Sequence, residues 1–329
     1  MTDDTRRPYR TSLRVAIVCP FPAGSRLGNR VTAARWARMF EELGHEAAIV
    51  DDLDDSFDVL VALHARRSAA AIADWRARFP SRPLIVALTG TDLNHDIHVD
   101  ADAKRSLELA DRLVVLHDLA RTAVPDPHRA KTRVIRQSAD PPRDAIAKAD
   151  GFDVAFVAHV RSEKDPLRPA LAARLAPTSS RLRVLHAGRV LTPALEDAFA
   201  EEAASNPRFI RLGELAEDET RELIARARLL VLTSSSEGGA NVLGEAIVCG
   251  TPPLATRIPP CVAALGEDYP GLFDVGDTAA LASLLTRAET DRRFLADLTA
   301  RATARQGLFA PAIERDRWNG LLGEVVTRG

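Results

Sequence analysis

Short runs rich in Val, Ile, Leu and Ala recur along this chain, each followed by a longer stretch whose apolar residues fall at helical spacing. In the first half these runs are Leu13–Cys19, Asp58–Leu63, Leu84–Leu88 and Leu113–Leu116. Strands that alternate with helix-length stretches are the signature of βαβ units and hence of a parallel sheet. Asn29–Leu43 and Arg66–Phe79 are predicted helices, with Gly44 ending the first. The pattern breaks at Asp140-Pro141-Pro142-Arg143 and the polar stretch to Asp150, where paired prolines and charges argue for an exposed connection. It then restarts with Phe152–Val157, Leu182–Ala187, Arg208–Leu212, Leu229–Thr233 and a short Pro253–Ala255 run. No sequence repeat links the halves, so what is duplicated is architecture. The expectation is an α/β chain of two Rossmann-like, doubly wound parallel-sheet domains facing across a cleft. Residues 1–145 form the first and 146–310 the second, and a terminal helix within 311–329 crosses back to the first.

A length of 329 residues suits two domains of ordinary size. With 46% hydrophobic and 27% charged residues the composition is globular, and a net charge of −2 offers no whole-chain attraction to nucleic acid or acidic membranes. Cys19, Cys249 and Cys261 are isolated, at neither metal-ligand nor disulfide-framework spacing, which fits a reducing cytoplasm. Met1–Arg10 lacks the apolar core of a signal peptide and reads as a frayed leader, and no run approaches a membrane span. A cytoplasmic protein without membrane or nucleic-acid partners is expected.

Ligands of open α/β sheets sit at the carboxyl ends of strands, so the loops after each apolar run carry the functional information. After Leu229–Thr233 comes Ser234-Ser235-Ser236-Glu237-Gly238-Gly239-Ala240-Asn241-Val242, then a helix containing Glu245. Paired glycines let backbone N–H groups approach a ligand, and the first turn of the helix offers unpaired donors to a diphosphate. Glu237 and Glu245, with seven residues between them, can reach a sugar and a ribose. Taken alone, such a pair is more simply a solvated loop residue and a helix-surface residue.

These residues resemble the E-x7-E motif of retaining GT-B glycosyltransferases, and the resemblance extends through Gly250-Thr251-Pro252 and Val275-Gly276-Asp277. It implies that Glu237 contacts the donor sugar, that Glu245 contacts the ribose, and that the Gly238, Gly239, Ala240, Asn241 and Val242 backbone holds the diphosphate. The family carries an Arg and a Lys after the first strand of this domain. Lys164 matches the Lys, but His159 stands where the Arg is expected, and Arg161 is expected to supply the second charge to the leaving diphosphate. The plainer reading of Arg161 and Lys164 is a solvated helix entrance.

In the N-terminal half the first strand runs into Cys19-Pro20-Phe21-Pro22-Ala23-Gly24-Ser25-Arg26-Leu27-Gly28-Asn29-Arg30, which is not a dinucleotide fingerprint. Gly24 and Ser25 are expected to close over the donor, and Arg26 and Asn29 over the acceptor; an ordinary β-to-α turn is the competing reading. His64-Ala65-Arg66-Arg67-Ser68 and Thr89-Gly90-Thr91-Asp92 follow two further strands. His64, Arg66 and Arg67 suit a small anionic acceptor, since positive charge at a helix start otherwise opposes the dipole. Thr89, Gly90, Thr91 and Asp92 complete the expected acceptor set, and His64, Arg66, Arg161, Lys164 and Glu237 the expected catalytic set.

The wording of these loops, with Lys164-Asp165-Pro166 and Gly266-Glu267-Asp268-Tyr269-Pro270-Gly271, resembles the selenosugar synthases of selenoneine biosynthesis over nearly the whole chain. That resemblance implies transfer of a sugar, N-acetylglucosamine above all, from a UDP-sugar to selenophosphate, giving a 1-selenosugar, UDP and phosphate. It also implies functional links to a selenophosphate-producing and a selenoneine-forming enzyme. The rivals are a GT-B glycosyltransferase with a glycan or small-alcohol acceptor and a non-catalytic nucleotide-sugar binding protein. No cofactor or metal is expected: Asp51-Asp52-Leu53-Asp54-Asp55 reads as a solvated acidic loop, the eight histidines show no ligand spacing, and Trp36, Trp75 and Trp318 read as packing residues.

Overall fold

The structure is a computed structural model that describes residues 12–22, 24, 27–142 and 146–327. Ser25, Arg26, the leader Met1–Arg10 and Arg143 of the break lie outside the described residues. Contacts divide the chain into a first unit, up to Ile135 and again from Glu314, and a second, Arg136–Ile313.

The first unit is built on β1 (Arg14–Val18), β2 (Glu46–Ile49), β3 (Val59–Leu63), β4 (Leu84–Leu88), β5 (Arg112–Val115) and β6 (Thr132–Val134). These form one parallel sheet in the order β2-β1-β3-β4-β5-β6. The order reverses direction between β1 and β3, so the loops after those two strands splay to opposite faces and leave a crevice at the carboxyl edge. β3 and β4 are buried along their whole lengths, as continuous Val, Leu, Ile and Ala runs require of strands covered on both faces.

The C-terminal helix Pro311–Val326 spends its apolar face on this first unit. Trp318 packs edge-on against Trp36 and Phe40, with ring centroids 4.7 and 5.1 Å away, and Leu321, Leu322 and Val325 join the same cluster. Trp36 Nε1 donates to Glu314 Oε1 at 2.7 Å inside the core. Glu324 accepts from Arg112 at 2.8 Å and Arg133 at 2.6 Å, and these guanidiniums hold its carboxyl down to about 2.

The second unit carries β7 (Phe152–Val157), β8 (Leu182–Ala187), β9 (Phe209–Gly213), β10 (Leu229–Leu232), β11 (Pro253–Thr256) and β12 (Leu272–Phe273). Its parallel order is β12-β11-β10-β7-β8-β9, the doubly wound arrangement with its reversal between β7 and β10.

The nine strands expected from the sequence all form, with ends shifted by a residue or so. β2, β6 and β12 were not expected, and each is an edge strand of two to four residues. β2 and β6 lack the two-sided burial that writes a continuous apolar run, and β12 is buried but only two residues long. The helix expected from Arg66 begins at Ala69, because Ser68 Oγ turns back to donate to Leu63 O at 2.7 Å, and this leaves Arg66 and Arg67 in the preceding turn. Among the described residues no helix is long and apolar enough to cross a membrane.

Candidate active site

In the second unit the reversal point lies between the loops that leave Val157 and Leu232, and these loops carry Arg161, Lys164 and Glu237. The two loops are stitched together by backbone. Ser235 N donates to Glu163 O at 2.8 Å, and Thr233 Oγ1 donates to the carbonyls of Lys164 at 2.8 Å and Asp165 at 3.1 Å. So fixed, Lys164 Nζ forms an ion pair with Glu237 Oε1, which also accepts from Ser234 Oγ at 2.7 Å. Ser234 is held in turn by Thr256 Oγ1, which donates to its carbonyl at 2.6 Å.

Glu237 leads through Gly238 and Gly239 to Ala240, whose φ of 51° is in the left-handed region, and the helix Asn241–Val248 starts there. Non-glycine residues adopt that region at a cost, and such cost concentrates at functional sites. Asn241 Oδ1 is buried in the first turn with no hydrogen-bond partner among the described residues. Val242 packs against the core, and Glu245 lies half-buried one turn further on. Backbone donors and a helix start therefore converge beside a lysine, a suitable cradle for a diphosphate.

The loop after β7 is braced from behind. Gly188, at the end of β8 with φ 151°, lies so close that a Cβ there would meet Ala158 O at 2.0 Å, and His186 Nε2 is 2.8 Å from the same carbonyl. His186 is buried among Phe156, Phe199 and Phe209, and burial pushes its imidazole down to about 4. It is therefore neutral at pH 7 and donates from Nε2. His159 Nδ1 accepts from Arg189 N at 3.3 Å and its Nε2 lies 4.0 Å from Glu214, so its ring is engaged with the loops after β8 and β9. Arg161 Nε sits 3.2 Å from Glu163 at the entrance to the short 3-10 turn Ser162–Lys164.

In the first unit the crevice between β1 and β3 is lined by the loop from Cys19 and the turn from His64. His64 has φ 74°, a second non-glycine residue in the left-handed region, and is 4% exposed. Its Nδ1 accepts from Arg67 N at 3.3 Å, and its Nε2 is 3.2 Å from Thr91 Oγ1. Burial lowers its pKa against the opposing pull of Asp92, which keeps the imidazole neutral. Asp92 is wholly buried: it accepts from Ala65 N at 3.0 Å, Gly90 N at 2.8 Å and Thr89 N at 3.2 Å. Its oxygens thus tie the turn after β3 to the loop after β4. That loop continues as a single π-helical turn, Asp92–Asp96, a distortion often found at functional sites.

Arg66 Nη1 lies 3.5 Å from Asp96 and its Nε 3.9 Å from Asp100, while the Arg67 guanidinium lies 5.4 Å over the Phe21 ring. Thr89 Oγ1 is buried with no partner among the described residues. Gly24 takes φ 79°, which needs glycine, and Asn29 is half-buried in the first turn of the helix Gly28–Glu42. Ser25 and Arg26 remain outside the described residues.

The structure brings together Lys164 with Glu237 and the Gly238–Val242 backbone in one unit, and His64 with Arg66, Arg67 and Thr91 in the other. Sequence reasoning missed Ser234, Asp96, Phe21, His186 and Gly188. A glycine directly after the β8 run was the available signal for close approach; the others depend on partners from distant segments.

Residues 142–305 match the model of the family described as glycosyl transferases group 1. No curated protein sequence matches the chain. Among solved structures, the chain is similar to Anabaena HepE in complex with UDP-glucose, with TM-score 0.77 and 16% identity over 95% of this chain and 100% of that one. It is also similar to sucrose-phosphate synthase from Thermosynechococcus elongatus, with TM-score 0.79 and 13% identity over 96% and 100% of the two chains. A glycosyltransferase from Rickettsia africae gives TM-score 0.73 and 12% identity over 97% and 100%. Likeness at such low identity is likeness of fold. The fold is therefore GT-B, and residues 142–305, just under half of the chain, are similar to the glycosyl transferases group 1 family.

Proposed function

We propose that this chain transfers a sugar, N-acetylglucosamine above all, from a UDP-sugar to the selenium of selenophosphate. The observation that carries the donor half is Lys164 and Glu237 meeting at the β7/β10 reversal, one turn before a helix start whose buried Asn241 Oδ1 has no partner among the described residues. Glu237 holds the sugar hydroxyls, Glu245 the ribose, and the Gly238–Val242 backbone with Lys164 and Arg161 the diphosphate. The solved structure of HepE contains UDP-glucose, which supports a UDP-sugar as donor. Selenium attacks the anomeric carbon as its bond to the UDP oxygen breaks, and preorganised cations stabilise the departing diphosphate. Water then displaces the sugar selenolate from phosphorus, releasing phosphate and a 1-selenosugar. The nucleophile is already anionic, so neutral His64 orients rather than deprotonates.

The acceptor half is supported by the arginines after β3 and by the resemblance to selenosugar synthases. A second reading, transfer to a neutral alcohol or glycan, is favoured by one observation: Asp96 and Asp100 already compensate Arg66. Mass spectrometry of the protein incubated with UDP-N-acetylglucosamine and selenophosphate, with thiophosphate and buffer alongside, separates the two. A selenium-patterned sugar with matching UDP release is expected. UDP release without it sends the acceptor to the second reading, and unchanged UDP-sugar affinity in a Glu237→Ala/Glu245→Ala double variant removes the donor assignment.

A further inference from the structure

Arg66 and Arg67 are adjacent in the chain but sit in different electrostatic surroundings. Arg66 faces two carboxylates, Asp96 and Asp100, and Asp96 also lies 4.0 Å from His64 Nε2. Arg67 has no ion pair among the described residues; its guanidinium rests over Phe21, in the loop after β1. β1 and β3 are neighbours in register, Val18 beside Ala62, so their loops emerge side by side at the reversal point.

A third arginine enters from the β1 side. Arg30 lies half-buried in the first turn of the helix Gly28–Glu42, and its side chain has no hydrogen bond or ion pair among the described residues. It is close enough to the end of β1 for its charge to act on the Cys19 thiol. The first turn of that helix holds no acidic residue. Arg30 and Arg67 thus each place a positive charge at the N-terminal end of a helix, where the dipole disfavours it. Two such local conflicts at one crevice are resolved together by an anion.

We infer that Arg30 and Arg67, rather than Arg66, bind the phosphate-type oxyanion of the acceptor at the β1/β3 reversal point. Arg66 is a positioning residue that orders Asp96 beside His64. The assignment rests on the anionic-acceptor reading above and adds to it which cations do the binding. The ligand class is a small tetrahedral oxyanion carrying two or more charges, for which the arginine fork is suited.

The test titrates the full-length protein with inorganic phosphate and with thiophosphate, by calorimetry and phosphorus NMR, alongside UDP. Arg30→Gln and Arg67→Gln are each expected to weaken binding of both oxyanions about ten- to a hundred-fold, with UDP affinity unchanged. Arg66→Gln is expected to weaken it less than about three-fold, the remainder of a positioning effect. Arg67→Lys keeps the charge and loses the fork, and an intermediate loss there distinguishes a binding defect from misfolding. Oxyanion affinity lost in Arg66→Gln but kept in the other two overturns the assignment, as does a wild-type protein that binds neither oxyanion. In that last case, sugar transfer to a neutral acceptor leaves glycosyl transfer standing. Conversely, oxyanion binding that depends on Arg30 and Arg67 without any sugar transfer keeps the site and removes the proposed reaction.

Discussion

Replacing Glu237 by Gln tests whether the Lys164–Glu237 pair organises the second unit as its geometry indicates. Gln retains an acceptor for Ser234 Oγ and removes only the charge, so Lys164 is left as an uncompensated cation. The two side chains are 18% and 13% exposed. Breaking a fully buried pair costs about 3–5 kcal/mol and an exposed one below about 1 kcal/mol, which places this pair at roughly 2–3 kcal/mol. For a unit of this size each kcal/mol moves the melting temperature by about 2–4 °C, so Glu237→Gln is expected to lower Tm by about 4–12 °C. Lys164→Met is expected to do the same. The double variant removes both charges and is expected to recover about 1–2 kcal/mol relative to the sum, which a double-mutant cycle by calorimetry reads directly. Single variants that melt within about 1 °C of wild type, or a double variant as unstable as the sum, would refute the reasoning.

Gly188→Ala is expected to destabilise the second unit and to weaken UDP-sugar binding, because its Cβ would sit 2.0 Å from Ala158 O at a φ of 151°; thermal melting and donor calorimetry read the two effects. The acid limb of stability is expected to carry the signature of His186. Its folded pKa of about 4 lies below the unfolded 6.5, so between those values the unfolded chain binds a proton that the folded one does not. That stability is present above pH 6.5 and is lost as pH falls towards 4, about 3 kcal/mol in all. Denaturant titrations of wild type and His186→Phe across this window, with a flatter slope in the variant, provide the check.

The extent to which the site was legible follows from where each signal is stored. Glu237, the paired glycines and Asn241 are contiguous, so their spacing and the strand before them are visible in the chain itself. Arg66 and Arg67 read alike for the same reason: the sequence shows two adjacent cations. Their difference lies in Asp96 and Asp100, some thirty residues on and brought near by β3–β4 pairing. Ser234 looked like one of three equivalent serines until Glu237 folded back onto it. The edge strands β2 and β6 were missed because partial burial leaves no periodic record, and β12, though buried, is too short at two residues to show a period.

By itself, the sequence determined two parallel α/β units, most strand limits and the loops that hold the charged residues. Local periodicity and turn chemistry are properties of neighbouring residues, and they need no knowledge of the fold. Only the tertiary structure decided the strand orders, β2-β1-β3-β4-β5-β6 in one unit and β12-β11-β10-β7-β8-β9 in the other, and with them the reversal points where loops diverge. It also decided the left-handed backbone of His64 and Ala240 and which arginines are already compensated by carboxylates. Those outcomes depend on pairings between segments far apart in the chain, whose energies no local window contains.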